Sequence, residues 1–265
     1  MSEALTPSKR LVAVCGKGGT GKTVFTAIMA RVLLESHKAG KLLLIDADPA
    51  MNLPHVLGVK VRRTMGQIRE EIITIAKDGT EETKDQLANV LDYMVFEALN
   101  EMDGFALLAM GRTETLGCFC PLNDVLRGAV ETLSLNFDTI IIDGEAGLEQ
   151  LNRQVMRHVD TLTILSDATS RGIRTAALIK GMVQRDRVMQ CEKMGLVFNR
   201  VRGNEEMLKS LAQEIDLEVF GCIPQDEDIA YYDLLGQPLT QLPASPGIAA
   251  IRAIVEKHLF AERFR

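Results

Sequence analysis

The residues that could do chemistry in this chain fall into three groups. The first is GKGGTGKT, from Gly16 to Thr23, which follows a short apolar run and opens a stretch with helical spacing. It fits the phosphate-loop pattern G-x-x-x-x-G-K-[ST]. Glycines in that pattern let backbone N–H groups turn inward on phosphate oxygens, the lysine reaches the outer phosphates and the hydroxyl ligates Mg2+. The expected nucleotide-binding residues are therefore Gly16, Lys17, Gly18, Gly19, Thr20, Gly21, Lys22 and Thr23, with Thr23 on the metal. The start of the following helix adds a favourable dipole.

The second group is carboxylates at the ends of apolar runs. LLLIDAD places Asp46 and Asp48, and TIIID places Asp143, at the carboxyl ends of two strands. Ligands bind at that edge in open α/β sheets. Asp143 has the position of a Walker B acid, which supports Mg2+; Asp48 sits where a residue could also cap the next helix. The third group is Cys118 and Cys120 in GCFCP. Two residues apart, their thiols can face one point in an extended segment. A two-fold dimer would supply the same pair again, a thiolate set suited to Zn2+, Ni2+ or Cu+. On spacing alone the pair reads equally well as two buried cysteines.

Positioning these groups requires alternating strands and helices. LVAVC, KLLLID, FALLAM, TIIID, TLTIL, GLVFN and EVFGCI are short, nearly continuous apolar runs, and helical patterns separate most of them. Apolar strands joined by helices predict a mostly parallel sheet covered on both faces, so the fold class is α/β, doubly wound. Residues 61–103 read differently, with many charges and no convincing strand; Ala88–Met102 has the pattern of an amphipathic helix. This stretch is expected to be a helical, peripheral insert within one domain spanning 1–265.

Composition narrows the classes. The 265 residues carry 30 Lys plus Arg against 36 Asp plus Glu, a net charge of −6, which argues against nucleic acid as the main ligand. A hydrophobic fraction of 46% supports a full core and excludes disorder as the dominant state. Apolar runs fall far short of the ~20 residues of a membrane helix, so no membrane is expected. The polar start MSEALTPSKR has no apolar core of a secretion signal, and the expected location is cytoplasmic. The five cysteines are then not expected to form a disulfide framework. His55, next to LLLIDADPAMNLP, is expected to play an ordinary surface role.

Lys17, the extra lysine in the loop, makes GKGGTGKT resemble the deviant Walker A loop KGGxGK[ST] of the MinD/ParA/nitrogenase iron protein superfamily. The resemblance implies that Lys17 crosses a nucleotide-sandwich homodimer to its partner's phosphates. It implies that Asp48, in a DxDPxxN first switch, orients or deprotonates the attacking water and that Asp46 holds Mg2+ through water. It further implies that Gly147 senses the γ-phosphate in a second switch, and that Asn199 and Pro224 contact the adenine base. Cys-x-Cys before Walker B, followed by DGEAGLEQL, is similar to the CooC-type ATPases. Those serve nickel insertion into carbon monoxide dehydrogenase, with a sister group for acetyl-CoA synthase. This branch implies ATP, Mg2+ and Ni2+ or Zn2+ as bound species. Its partners would be a second copy, in a dimer promoted by ATP or metal, and a nickel-containing client enzyme. The alternative is a spatial-positioning ATPase of the MinD or ParA kind, which would need a membrane or DNA surface. Ile248, Ile251 and Val255 have helical spacing that favours core packing over a membrane anchor. A third reading, an electron donor with a bridging iron–sulfur cluster, lacks the second cluster cysteine after Walker B.

Overall fold

The computed structural model describes residues 9–78, 90–91, 93–112, 120–145, 148 and 155–261. Its sheet contains β1 (Arg10–Gly16), β2 (Leu42–Asp46), β3 (Leu99–Glu101), β4 (Phe105–Ala109), β5 (Thr139–Asp143), β6 (His158–Asp167), β7 (Gln190–Val201) and β8 (Glu218–Pro224). Their spatial order is β3-β4-β2-β5-β1-β6-β7-β8. Every neighbouring pair is parallel except β3 with β4. The helices are α1 (Lys22–Glu35), α2 (Asn52–Leu57), α3 (Met65–Asp78), α4 (Cys120–Ser134), α5 (Ser170–Gln184), α6 (Glu205–Glu214), α7 (Glu227–Leu234) and α8 (Pro246–Ile254). This is the expected doubly wound α/β fold.

Apolar strands give the sheet two faces to bury. Along β1, Leu11, Ala13 and Cys15 enter one core with residues of α3, α4, α5 and α6. Val12 and Val14 enter the other with residues of α1, α2 and α8. The period of two is what lets one strand serve both layers. Side chains start the helices that need fixed positions. Thr169 Oγ1 accepts from Gly172 N at the start of α5, Asp226 Oδ1 from Asp228 N and Ile229 N at α7, and Ser245 Oγ from Ile248 N at α8. Each such cap contributes about 1 kcal/mol.

Two expectations need correction. Residues 61–103 contain a strand: the helical turn after residue 90 stops near 97, and Leu99–Glu101 pairs antiparallel with β4. The open edge of β4 offers backbone partners that a further helical turn would forgo. Asn100 fixes the junction, its buried Nδ2 donating to Ala98 O and Leu107 O while Oδ1 accepts from Arg62 N. Within the same stretch, Met65, Ile68 and Ile72 of α3 are core residues.

Candidate functional site

At the carboxyl edge of the sheet, β1 ends on Gly16 and the loop Lys17–Gly21 leads into α1. Gly16 has φ 137°, and a Cβ there would lie 2.1 Å from Leu165 O, so a bare backbone is needed for the loop to leave between β5 and β6. Gly21 has φ 88° and would clash with Asn199 Nδ2 at 2.6 Å. That amide donates to Thr20 O at 2.8 Å, tying the end of β7 to the loop. Lys22 Nζ lies 3.3 Å from Gly16 O and 3.4 Å from Lys17 O. The ammonium thus faces the hollow of its own loop, the place the expected phosphates would take.

Beneath the loop lie two carboxylates. Asp46 and Asp143 are register partners across β2 and β5, and both are buried. Asp46 Oδ1 accepts from Asp48 N at 2.9 Å and Oδ2 from Leu53 N at 3.0 Å. Burial, and then the Asp143 charge, push the Asp46 carboxyl up to about 7 despite those bonds. Burial likewise raises Asp143 to about 6, against the pull of the Thr23 and Thr26 hydroxyls and Lys22. Thr26 Oγ1 donates to Asp143 Oδ1 at 3.1 Å, while Asp143 Oδ2 is buried without a hydrogen-bond partner among the described residues. Adjacent buried acids, an orphaned carboxylate oxygen and a neighbouring hydroxyl form a hard-oxygen donor set that fits Mg2+. The expected ligands Thr23, Asp46 and Asp143 therefore do converge.

Other predicted residues surround this floor. Asp48 lines a cavity of about 480 Å3 together with Gly18, Gly19, Gly21, Lys22 and Thr23. Its Oδ1 accepts from Ala50 N, so it shapes its own turn rather than capping α2, whose start is Met51 with φ 53°. His55, expected to play a surface role, is exposed and lines the same cavity. Asn199 and Pro224 line a second cavity of about 470 Å3 on the far side of Gly21, with Val24, Phe25, Ile223 and Ile229 supplying apolar walls. Cys118 and Gly147 lie outside the described residues; Cys120 is the first residue of α4, and its side chain is not described.

Four residues escaped sequence reasoning. Lys17 Nζ pairs with Asp167 Oδ2 at 2.8 Å, both side chains being 32% exposed. Burial raises the Asp167 pKa, but Lys17 and Thr169 outweigh it and hold the carboxyl below its ordinary value. The available signal was position, since Asp167 ends β6 as Asp46 and Asp143 end theirs. Glu145, two residues past Asp143, lines the loop cavity. Arg200 and Asp233 line both cavities, and only the tertiary fold brings them there.

The family model described as the CobQ/CobB/MinD/ParA nucleotide binding domain matches residues 11–239. The chain is 38% identical over 255 residues to an uncharacterized ATP-binding protein of Methanocaldococcus jannaschii, covering 93% of this chain and 97% of that one. It is 29% identical over 234 residues to the carbon monoxide dehydrogenase accessory protein CooC of Rhodospirillum rubrum, covering 85% and 87%. Among solved structures, the septum site-determining protein MinD complexed with Mg-ADP from Pyrococcus horikoshii shares the fold. That match has a TM-score of 0.68 at 22% identity and covers 96% of this chain and 98% of that one.

Proposed function

We propose, from the premise that this chain belongs to the CobQ/CobB/MinD/ParA nucleotide-binding domain family, that it is a dimeric ATPase metallochaperone. In this reading it hydrolyses ATP to drive nickel insertion into an enzyme of the carbon monoxide dehydrogenase or acetyl-CoA synthase type. The observation that carries the ATPase part is the glycine loop 16–23 standing over the paired buried acids Asp46 and Asp143. The metal part is supported by the Cys118-x-Cys120 pair and by the 29% identity to CooC.

Each residue then has a task. Backbone N–H groups of Gly18–Thr23 and the Lys22 ammonium hold the β- and γ-phosphates. Thr23 and Asp143 hold Mg2+, with Asp46 behind a water; the ion, when bound, offsets phosphate charge during transfer. Asp48 orients the attacking water in the shared cavity. Lys17 leaves Asp167 and reaches the partner's phosphates, a cation placed where charge develops. Gly147 reports the γ-phosphate, and Asn199 with Pro224 holds adenine. Nickel is the cargo. Closure of the dimer brings two Cys118/Cys120 pairs together, so nucleotide and metal affinities are linked.

The test is anaerobic Ni2+ and Zn2+ binding stoichiometry read with dimer mass, for the native chain and Cys118→Ser/Cys120→Ser. One ion per dimer, lost in the variant and altered by ATP, is the expected result. Metal binding indifferent to both cysteines shifts the reading to a positioning ATPase, which the likeness to MinD favours. Against that alternative, Ile248, Ile251 and Val255 are packed in the core and so do not form a surface for a membrane.

A further inference from the structure

The glycine loop and the paired acids stand at the carboxyl edge of the sheet. At the opposite edge, where β6 and β7 begin, another group of ligating side chains gathers. His158 opens β6, and Asp160 follows two residues later. Val159 pairs with Cys191 of β7 and Thr161 with Lys193, which sets Glu192 beside Asp160. One imidazole nitrogen and one oxygen from each carboxylate all lie within 4.8 Å of one another.

The details fit a bound cation. Like charges in neighbouring sheet positions repel, so two carboxylates here favour a positive charge between them. The nearby ammonium does not supply it. Burial lowers the Lys9 pKa, the Asp160 charge raises it only in part, and no ion pair joins the two among the described residues. The Glu192 carboxylate has no hydrogen-bond or ion-pair partner among the described residues. His158 Nε2 stands 3.5 Å from Asp160 Oδ1. That is long for a hydrogen bond. It is close to the edge of a tetrahedron around a zinc-sized ion, where bonds of about 2.0–2.1 Å set adjacent ligands roughly 3.3 Å apart. Asp160 is anchored, its Oδ2 accepting from Leu11 N at 2.7 Å, which leaves Oδ1 for a ligand. His158 and Glu192 are exposed and Asp160 half-buried, so side-chain rotation of the outer two can close the remaining gap.

We infer that His158, Asp160 and Glu192 form a metal site of their own, for a divalent transition ion such as Zn2+, Co2+ or Ni2+. The imidazole sets the class: Mg2+ and Ca2+ prefer oxygen ligands, whereas imidazole suits the later first-row metals. Three protein ligands leave a position for water or for a group from another molecule, so the site is open. It shares no residue with the Cys118/Cys120 pair or the phosphate loop, and it does not depend on the function proposed above.

Co2+ binding to the full chain tests it, by equilibrium dialysis and visible absorption, in Cys118→Ser/Cys120→Ser with Mg2+ in large excess. The serines remove that thiolate pair, and Mg2+ occupies hard-oxygen sites such as the Asp46/Asp143 floor. The expected result is one Co2+ per chain, with weak d–d bands and no thiolate charge-transfer band. Adding His158→Ala or Glu192→Gln should weaken that binding by at least about tenfold. Both residues are exposed, so metal-free melting temperatures should match the parent's, and Co2+ should raise only the parent's. Absence of bound Co2+ overturns the inference, as does binding that survives either substitution. A thiolate band overturns it by moving the metal to a cysteine. Displacement of Co2+ by the excess Mg2+ overturns it by making the cluster an ordinary acidic patch. Weaker binding joined to a lower metal-free melting temperature in both variants overturns it too, since the residues would then support the strand junction.

Discussion

Two regions on either side of the same glycine loop handle charge in opposite ways. Below it, Asp46 and Asp143 sit side by side, buried, with an orphaned oxygen and carboxyls pushed up to about 7 and about 6. Above it, Lys17 and Asp167 form a half-exposed pair that is already balanced. The floor leaves one buried carboxylate oxygen without a partner among the described residues. The upper pair is complete and must be broken before Lys17 can serve another molecule. A site built this way separates its two requirements. In the proposed mechanism, metal and nucleotide are drawn in by an unmet charge, whereas turnover waits for a met one to be released.

The sharpest way to break the contrast is at the floor. Asp143→Asn keeps the shape and removes one of the two buried charges. ATP turnover should fall by about 10³-fold or more, because the residue that would hold Mg2+ is lost. The same change should raise the melting temperature of the ligand-free protein by several degrees, since an uncompensated buried charge costs stability. Activity assays and thermal melts on one preparation test both halves. A variant that is both inactive and less stable than the native chain would mean the acid pair is not frustrated as described.

The next effect belongs to the upper pair. Lys17→Ala should lower turnover by roughly 10²–10³-fold if the lysine stabilises charge on a partner's phosphates. Its nucleotide affinity should stay within about threefold of native. Asp167→Asn should act the other way and more weakly. A half-exposed ion pair contributes about 0–1 kcal/mol, so freeing Lys17 should raise turnover at subsaturating protein concentration by up to about fivefold. Turnover measured against protein concentration separates the two, because only a trans role makes the gain vanish once the dimer is saturated. A fall in Asp167→Asn would instead make the pair a support for the loop.

These regions also differ in how far the sequence revealed them. The floor was legible because its parts are local: a glycine loop after a strand, and aspartates that end apolar runs. Parallel pairing then brings Asp46 and Asp143 into register without further information. Lys17 could be found but not its partner, since Asp167 is 150 residues away and only the order β1 beside β6 joins them. Asp233 lies on a helix with no buried residues, so no periodicity marks it. The strand Leu99–Glu101 was missed for a related reason. Three residues carry too weak a pattern against a helical run, and the edge of β4 that recruits them is a tertiary fact.

The smallest effect is the dependence of stability on pH, and its sign follows from the floor. Both acids have folded-state pKa values above the ordinary 3.8, so the native chain holds protons that the unfolded chain releases. Their contribution to stability is present in full near pH 4 and below, and is lost as pH rises through about 6 and about 7. The ligand-free protein should therefore melt at a lower temperature at pH 7.5 than at pH 6. His258 opposes this: burial and Lys193 depress its pKa, although Glu218 pulls it up, so its contribution grows with pH up to the ordinary 6.5. Asp167, held low by Lys17, changes stability only below the ordinary 3.8. Differential melts isolate the floor. The slope between pH 6 and pH 7.5 should flatten in Asp46→Asn and again when Mg2+ and nucleotide are added to the native chain, because each removes the same proton demand. A native slope that neither change alters would mean that other groups carry the pH response and that the floor is already balanced.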